Sequence, residues 1–495
     1  MIKIDKGDID ILIISEGTFP YVRGGVSSWI NQLILGLPNL NFGVVFLGSQ
    51  KSEYEGIKYD IPDNLVYLYV DYLFEAKKVK KPRYMPKQKG FEAIKELHKT
   101  FTHGNDIPHE IKDLDFYDKV ASLKTFLFSE SSWEFIQEQY LEHAKDESFI
   151  DYFWGVKNMH TPIWKLVEIA KNIKPFKIVH SPSTGYAGFL ASLLKLNYNK
   201  PFILTEHGIY IRERKIDMLN NTWLASQKTI FQKKLGEIPY AKELWIKFFE
   251  GIGKFTYKSA DEIISLFEGA RKLQLAYGAD ENKTKVIPNG IDTTNLSKLI
   301  KEEIPPIITL IGRVVPIKDI KTFIKAMRIA INEIPELEGW IVGPEDEDKD
   351  YAKECHLLVE SLGLKDKVKF LGFQNINDIL PKSGILTLSS ISEGMPLVVI
   401  EGFAAGLPCV ATDVGSCSEL IYGGNEEDKK LGPAGEVVKI ANPDELAKGY
   451  IKLFGNKEYY KQCKDTAIKR VNTYYTKELF LDSYMDIYKE YLWQE

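Results

Sequence analysis

The chain has 495 residues, of which 44% are hydrophobic and 27% charged, as in a globular protein too long for a single hydrophobic core. A formal net charge of −5 provides no field that attracts nucleic acid, and the four cysteines lack the spacing of a metal site. No apolar run approaches the roughly 18 residues of a membrane-spanning helix, so we expect a cytoplasmic protein.

The first half opens with a strand and a glycine loop. Residues 10–15 read as a buried strand, Gly24 and Gly25 follow in a loop, and a helix is predicted over 26–37. This is a Rossmann-like opening, although the spacing is not that of a dinucleotide fingerprint. Glycines at a helix start favour close approach of an anion. The alternative is a plain turn between strand and helix.

A helical insertion interrupts this half. Residues 42–47 and 65–70 continue as strands, but residues 72–173 show amphipathic helices and loops without a convincing strand. Such a segment exceeds what an ordinary loop needs. Within it, Lys77 to Lys89 forms a basic run, which is usually a solvated loop.

Two later strands lead into histidines. Residues 177–180 and 202–205 read as strands, and parallel strands deliver ligand-binding side chains at their carboxyl ends. His207, in the segment TEHG, is the better candidate for binding, whereas we interpret His180 as structural. The charged, proline-containing stretch 293–306 then indicates a domain boundary.

The second half begins with a pair of cations after a strand. Residues 307–311 read as the strand, and GRVVPIKD places Arg313 and Lys318 before a helix predicted over 320–332. Two cations there suit a diphosphate, whose leaving group gains negative charge as a glycosidic bond breaks. Cations disfavour a helix start unless an anion arrives, which supports this interpretation over two exposed charges.

A strand–loop–helix unit at residues 385–406 carries two glutamates. Glu393 lies in the loop and Glu401 about two helical turns later, so the two are on the order of 10 Å apart. This separation is too large for one metal ion but suits two parts of one elongated ligand. Pro396 is predicted at the first helical position. The alternative is that one glutamate caps the helix and the other faces solvent.

Further strands alternate with helices, as in a doubly wound sheet. They are predicted at residues 339–343, 368–373 and 408–412. The acidic run 345–350 reads as a solvated surface loop. The last aromatic residues, from Tyr474 to Tyr491, recur at near-helical spacing and are expected in the core.

The segment that contains the two glutamates resembles part of a known family. Their setting, SEGMPLVVIEGFAAGLPCVATDVG, resembles the signature of the retaining, nucleotide-sugar-dependent glycosyltransferases of family 4. The segments SEGTFPYVRGGVSSWINQLI and TEHGIYIRERKID are similar, more narrowly, to the cytosolic glycosyltransferase of Pel-type exopolysaccharide systems.

This resemblance implies a GT-B α/β fold, in which two Rossmann-like domains face each other across a cleft. The implied domains are residues 1–300 with the insertion, residues 301–472, and a helix at 473–495 that crosses back to the first domain. The implied reaction moves a hexosyl group from a UDP-sugar, with UDP-glucose as the leading donor, to a growing polysaccharide with retention of configuration.

The resemblance also implies roles for individual residues. Arg313 and Lys318 would bind the pyrophosphate, Glu393 and His207 the transferred sugar, and Glu401 the ribose. Ser416 stands where the family often has a second glycine. The remaining implied substrate-binding residues are Gly24, Gly25, Gly394, Met395, Pro396, Leu397 and Gly415.

No metal or other cofactor is expected, because the two cations take the place of a metal ion. Beyond donor and acceptor, expected partners are membrane-bound polysaccharide synthase or export proteins, which would hold the chain at the inner face of the membrane. A sugar phosphorylase or nucleotide-sugar hydrolase of the same fold remains an alternative. A non-catalytic nucleotide-binding scaffold is a second alternative.

Overall fold

The computed structural model describes residues 2–75, 79–103, 106–220 and 239–493. The chain forms two compact units. Unit 1 comprises Met1–Ser265, Arg271–Lys285 and Met485–Glu495, and unit 2 comprises Leu266–Ala270 and Val286–Tyr484.

Each unit is built around one sheet. The strands in the described part of the chain are β1 (Ile2–Asp5), β2 (Ile9–Glu16), β3 (Phe42–Gly48), β4 (Leu65–Tyr72), β5 (Phe176–Ser181), β6 (Phe202–Glu206), β7 (Glu262–Ser265), β8 (Thr284–Val286), β9 (Ile307–Ile311), β10 (Glu338–Val342), β11 (Val368–Gly372), β12 (Ile385–Leu388), β13 (Cys409–Thr412) and β14 (Gly435–Val438).

The α-helices of the described residues alternate with these strands. They are α1 (Gly25–Gly36), α2 (Glu92–His103), α3 (His109–Lys112), α4 (Phe116–Lys119), α5 (Leu123–Phe128), α6 (Glu130–Gln139), α7 (Phe149–Asn172), α8 (Tyr186–Tyr198), α9 (Tyr210–Asn220), α10 (Tyr240–Ser259), α11 (Glu268–Ala276), α12 (Thr293–Leu296), α13 (Ile320–Glu333), α14 (Lys349–Ser361), α15 (Ile376–Ile379), α16 (Leu397–Ala404), α17 (Cys417–Tyr422), α18 (Glu426–Lys429), α19 (Pro443–Gly455), α20 (Lys457–Tyr474) and α21 (Lys477–Leu492).

Both sheets have the strand order of doubly wound folds. The first runs β1-β4-β3-β2-β5-β6-β7-β8, with β1 antiparallel to β4 and the pairs from β4 to β7 parallel. The second runs β11-β10-β9-β12-β13-β14 and is parallel throughout. Continuous apolar runs such as β3 are buried along their whole length, as expected for a sheet covered by helices on both faces. The predicted fold class, two Rossmann-like α/β domains of the GT-B type, is confirmed.

The insertion between β4 and β5 is helical, as predicted. Its described residues form α2 to α7, without a strand. Buried side chains of the insertion, among them Phe126, Met159 and Trp164, belong to the same hydrophobic cluster as the central strands of unit 1. In the basic run, Lys87 pairs with Glu134 at 2.6 Å. Lys77 and Lys78 lie outside the described residues.

No helix within the described ranges combines the length and the apolar character needed to cross a membrane.

Candidate active site

In unit 2, three loops meet at the carboxyl ends of neighbouring strands β9, β12 and β13. Ser389 Oγ donates to the carbonyl of Lys318 at 2.8 Å, and the backbone N–H of Ile391 donates to the carbonyl of Ile317 at 2.8 Å. Thr412 Oγ1 donates to the carbonyl of Ser390 at 2.6 Å. The loops that carry the predicted site residues are therefore fastened to one another by the chain itself.

Glu393 is the centre of this junction. Its Oε1 accepts hydrogen bonds from Lys318 Nζ and from Ser390 Oγ, each at 2.6 Å. The Lys318 and Glu393 side chains are only 21% and 13% exposed. The structure thus brings together one of the cations expected at the phosphates and the glutamate expected at the sugar. Ser390 was not singled out from the sequence, although it lies only three residues before Glu393.

Arg313 has a different partner from Lys318. Its Nη1 donates to both carboxylate oxygens of Glu347, at 2.6 and 2.5 Å. Residues 346, 347 and 350 are exposed, as the prediction of a solvated loop requires, but the loop also supplies the partner of Arg313. Glu345 pairs with His356 at 2.7 Å, and Asp348 accepts from the backbone N–H of Tyr351 at the start of α14. The loop after β10 returns toward the loop after β9, because these strands are neighbours in the sheet.

The start of helix α13 is already capped. Lys318 ends a 3₁₀ turn, Pro316–Lys318, and Asp319 Oδ1 accepts from the backbone N–H of Thr322 at 3.3 Å. Asp319 supplies the negative charge that a helix start favours. The argument that two cations at this helix start require an incoming anion is therefore corrected, because the helix has an acidic cap of its own. Asp319 has φ of 45°, a left-handed conformation that aspartate tolerates better than most residues.

Helix α16 carries the second glutamate. Glu401 is partly buried, and burial raises the pKa of its carboxyl group. The helix begins at Leu397, so Pro396 stands one position before it rather than at the first helical position. Met395 is 8% exposed, and its sulfur accepts from the backbone N–H of Asn289 at 3.3 Å.

The backbone conformation and the close neighbours of residue 415 require glycine at this position. Gly415 has φ of 55°, and an added Cβ would lie 2.1 Å from the carbonyl oxygen of Gly394. The next residue, Ser416, donates its backbone N–H to that same oxygen at 2.9 Å. Gly415 therefore allows the loop after β13 to pack directly on the loop that carries Glu393.

The other predicted site residues belong to unit 1. The His207 ring lies edge-on to Trp29, with ring centroids 4.7 Å apart, and burial lowers the pKa of His207 to about 3. Its Nε2 is buried and has no hydrogen-bond partner among the described residues. His207 is therefore a neutral imidazole at physiological pH.

His180 is a structural residue, as interpreted from the sequence. It is fully buried; its Nδ1 lies 2.7 Å from the hydroxyl of Tyr488 and its Nε2 lies 2.9 Å from Thr205 Oγ1. Burial, and secondarily the nearby His207, lowers the pKa of His180 to about 3. Both ring nitrogens are thus occupied within unit 1.

Gly24 and Gly25 border open space. An added Cβ at either residue would meet no atom of the described residues within 4 Å. Gly24 has φ of 166°, which is extended backbone that any residue adopts. Packing among the described residues therefore does not require glycine at either position.

A buried carboxylate anchors the turn that contains His207. Glu206, at the end of β6, is 1% exposed, and its Oε2 accepts from the hydroxyl of Tyr257 at 2.6 Å. Thr184 Oγ1 and the backbone N–H of Tyr210 donate to its Oε1, and Gln274 Nε2 donates to Oε2. Sequence reasoning missed Glu206, although its place at the carboxyl end of a strand was a usable signal.

Two family models match the chain. The model of the domain of unknown function DUF3492 matches residues 9–282, and the model described as glycosyl transferases group 1 matches residues 292–470. The boundary between them falls close to residue 286, where unit 2 begins its long segment.

Curated relatives match part of the chain. A UDP-Gal:alpha-D-GlcNAc-diphosphoundecaprenol alpha-1,3-galactosyltransferase of Escherichia coli is 27% identical over 226 residues, which are 42% of this chain and 55% of that protein. An N-acetyl-alpha-D-glucosaminyl L-malate synthase of Bacillus anthracis is 29% identical over 136 residues, 27% of this chain and 34% of that protein. The chain thus spans about half of the first relative and a third of the second.

Solved structures match nearly the whole chain. The structure of Anabaena HepE in complex with UDP and glucose superposes with a TM-score of 0.57 at 13% identity, covering 97% of this chain and 99% of that one. At this identity the likeness concerns the fold.

Proposed function

We propose that this chain, which belongs to the DUF3492 family through residues 9–282 and carries a glycosyl transferases group 1 domain at residues 292–470, transfers a hexosyl group from a UDP-sugar to a glycan. The observation that carries the proposal is the convergence of Lys318 and Ser390 on Glu393, at the carboxyl edge of a parallel sheet. Ligands of open α/β sheets bind at this edge.

Lys318 and Glu393 suit adjoining parts of a sugar nucleotide. A lysine ammonium binds phosphate as a point charge, and a carboxylate accepts hydrogen bonds from sugar hydroxyls. Their contact at 2.6 Å means that phosphate and sugar groups would bind next to each other, as they are in a nucleotide sugar. Glu401, further along α16, is assigned to the ribose and Gly415 to the phosphate side.

UDP-glucose is our leading donor. Relatives support a UDP-sugar: the E. coli relative is named for UDP-Gal, and HepE was crystallised with UDP and glucose. The proposed acceptor is a growing polysaccharide of a Pel-type exopolysaccharide system, on the strength of the resemblance of the N-terminal segments.

The proposed reaction retains the configuration at the anomeric carbon. The bond between C1 of the sugar and the terminal phosphate oxygen breaks, and that oxygen keeps the electron pair. The acceptor hydroxyl oxygen forms a bond to C1 on the same face, and its proton passes to the departing phosphate. Lys318 and Arg313 stabilise the charge that accumulates there. No metal ion is required in this scheme.

His207 is assigned to the transferred sugar, as the resemblance of the segment TEHG implies. Its neutral ring and its unpaired Nε2, within the described residues, suit a hydrogen bond to a hydroxyl group. Gly24 and Gly25 are assigned to the backbone surface that a diphosphate or acceptor approaches.

The helical insertion is proposed to dock onto membrane-bound partners. Trp133 and Trp154 are 50% and 56% exposed. The ring centroids of Trp133 and Phe149 lie 5.6 Å apart. Exposed aromatic clusters of this kind mark interaction sites. Residues 130–151 contain seven carboxylates against one lysine, so the surface favours a protein over anionic lipid. Co-sedimentation with membranes that contain the export system should be lost in Trp133→Ser/Trp154→Ser and kept when Lys80 and Lys81 are neutralised.

Donor titration tests the catalytic proposal. A panel of UDP- and GDP-sugars is titrated into the full chain by calorimetry, and the tightest donor is incubated with and without glycan acceptors, followed by analysis of the product's anomeric configuration. Acceptor-dependent turnover of a UDP-sugar is the expected result. Turnover that requires only water or inorganic phosphate would indicate a hydrolase or phosphorylase, and binding without turnover would indicate a scaffold.

A further inference from the structure

Glu347 places a negative charge directly beside Arg313. The two carboxylate oxygens lie 2.6 and 2.5 Å from Nη1, and the side chains are 51% and 54% exposed. A guanidinium group has five N–H donors, and this contact uses one nitrogen. Arg313 can therefore hold Glu347 and a phosphate group at the same time, which keeps the carboxylate within a few ångströms of that phosphate.

The donor and the product differ in charge at this phosphate. In a UDP-sugar the terminal phosphate is esterified to C1 of the sugar and carries one negative charge. When the C1–oxygen bond breaks, the phosphate keeps the electron pair and becomes a monoester, whose second proton has a pKa of about 6. Above neutral pH, free UDP therefore carries one more negative charge than the donor.

We propose that Glu347 makes the donor site discriminate against UDP and so favours release of the product. The inference rests on the proposed function, because it needs the terminal phosphate of a UDP-sugar at Arg313. A carboxylate repels a doubly charged phosphate more than a singly charged one. One extra unit charge a few ångströms away in a solvated site changes affinity by about threefold.

Glu345 provides a matched control. It lies two residues away in the same loop and carries the same charge, but it pairs with His356 at 2.7 Å instead of Arg313. Glu345→Gln therefore removes an equal charge from the loop without touching the Arg313 pair. Any effect of the loop's overall field appears in both variants, whereas an effect of the pair appears only in Glu347→Gln.

Calorimetric titration tests the proposal on the full chain with UDP and UDP-glucose as probes, at pH 8 and at pH 5.5. At pH 8, Glu347→Gln should bind UDP more tightly, and the ratio of the two dissociation constants should shift toward UDP by about threefold. At pH 5.5, where the terminal phosphate is largely protonated, this shift should shrink. Glu345→Gln should leave the ratio unchanged.

Several results would overturn the proposal. If Glu347→Gln bound both probes more tightly by the same factor, Glu347 would not discriminate between UDP and UDP-glucose. If Glu347→Gln bound neither probe more tightly, Glu347 would not repel the phosphate. The same shift of the ratio in Glu345→Gln would assign the effect to the loop's field. If the folded wild-type chain bound neither probe, the UDP-sugar assignment would fail together with this inference, whereas the preceding outcomes leave that assignment intact.

Discussion

Lys318 Nζ lies 2.6 Å from Glu393 Oε1, in a contact between two loops that follow neighbouring strands of one sheet. The cation comes from the loop after β9 and the carboxylate from the loop after β12. The pair therefore links two segments that are 75 residues apart in the chain.

Replacing Lys318 with alanine should lower the rate of sugar transfer by about 10²-fold or more, because it removes a cation from the phosphate where charge develops. Arg313→Ala should have an effect of similar size. Steady-state rates with UDP-glucose and an acceptor give the measurement, and circular dichroism should show an unchanged fold.

Lys321→Ala is the control for this prediction. Lys321 lies in the first turn of α13, close to Lys318 in the chain, but it pairs with Glu354. Replacing Lys321 with alanine should therefore leave the transfer rate nearly unchanged. Near-wild-type transfer by purified Lys318→Ala would refute the phosphate clamp.

Replacing Glu401 and replacing Glu393 should affect the binding of different ligands. Glu401→Ala should weaken the binding of UDP itself by about tenfold or more, because hydrogen bonds to a charged group contribute strongly. Glu393→Ala should chiefly weaken the binding and use of the intact sugar nucleotide. Calorimetry with UDP and with UDP-glucose measures both effects. Equal losses of UDP affinity in the two variants would remove the distinction between ribose and sugar roles.

Glycines in the two units should respond differently to alanine. Gly25→Ala places its Cβ in open space at the first residue of α1, so stability should stay the same or rise slightly while sugar transfer falls. Gly415→Ala puts Cβ 2.1 Å from the carbonyl oxygen of Gly394 and should cost about 1–3 kcal/mol of stability. Urea unfolding and transfer assays distinguish the two outcomes. Full activity of Gly25→Ala would argue against close approach of a ligand there.

Stability of unit 1 should fall on acidification, partly through His180. Its folded pKa of about 3 lies below the unfolded value of about 6.5. Between these values the unfolded chain binds a proton that the folded chain does not, so stability decreases as pH falls, by up to about 1.4 kcal/mol per pH unit. His180→Gln keeps a polar side chain at this position but removes the group that binds this proton.

Urea unfolding between pH 7 and pH 5, followed by tryptophan fluorescence, should therefore show a shallower pH dependence in His180→Gln than in the wild type. His109→Gln changes an exposed histidine and should leave the slope unchanged. The same slope in all three proteins would contradict the prediction.

Chelation should not affect the reaction. If Arg313 and Lys318 supply the positive charge at the phosphates, sugar transfer should proceed at the same rate after dialysis against EDTA as in added Mg²⁺ or Mn²⁺. A rate that collapses on chelation and returns with one of these ions would show that a metal takes part.

The sequence predicted the sheets well because parallel strands buried on both faces are continuous apolar runs. β6 and β9 were each expected within two residues of their observed bounds. Glu393 and Glu401 could be singled out because they lie on one strand–loop–helix unit, where spacing along the chain determines spacing in the fold.

Partners from distant elements could not be predicted in this way. The pairing of Arg313 with Glu347 depends on the path of the loop after β10, and an acidic run in a loop is usually solvated. Glu206 collects donors from Thr184, Tyr257 and Gln274, which come from three different segments. No local pattern in the sequence predicts that these donors converge on the buried carboxylate of Glu206.

The hydrogen bond between His180 and Tyr488 also bears on how the protein is made. The two residues are 308 positions apart, yet both belong to unit 1. At a synthesis rate of about 5–20 residues per second, roughly a quarter of a minute to a minute passes between the emergence of His180 and that of Tyr488. During that interval the hydrogen bond between His180 and Tyr488 cannot form. Unit 1 can therefore be completed only after the long segment of unit 2 has been translated, because its last residues, Met485–Glu495, follow that segment in the chain.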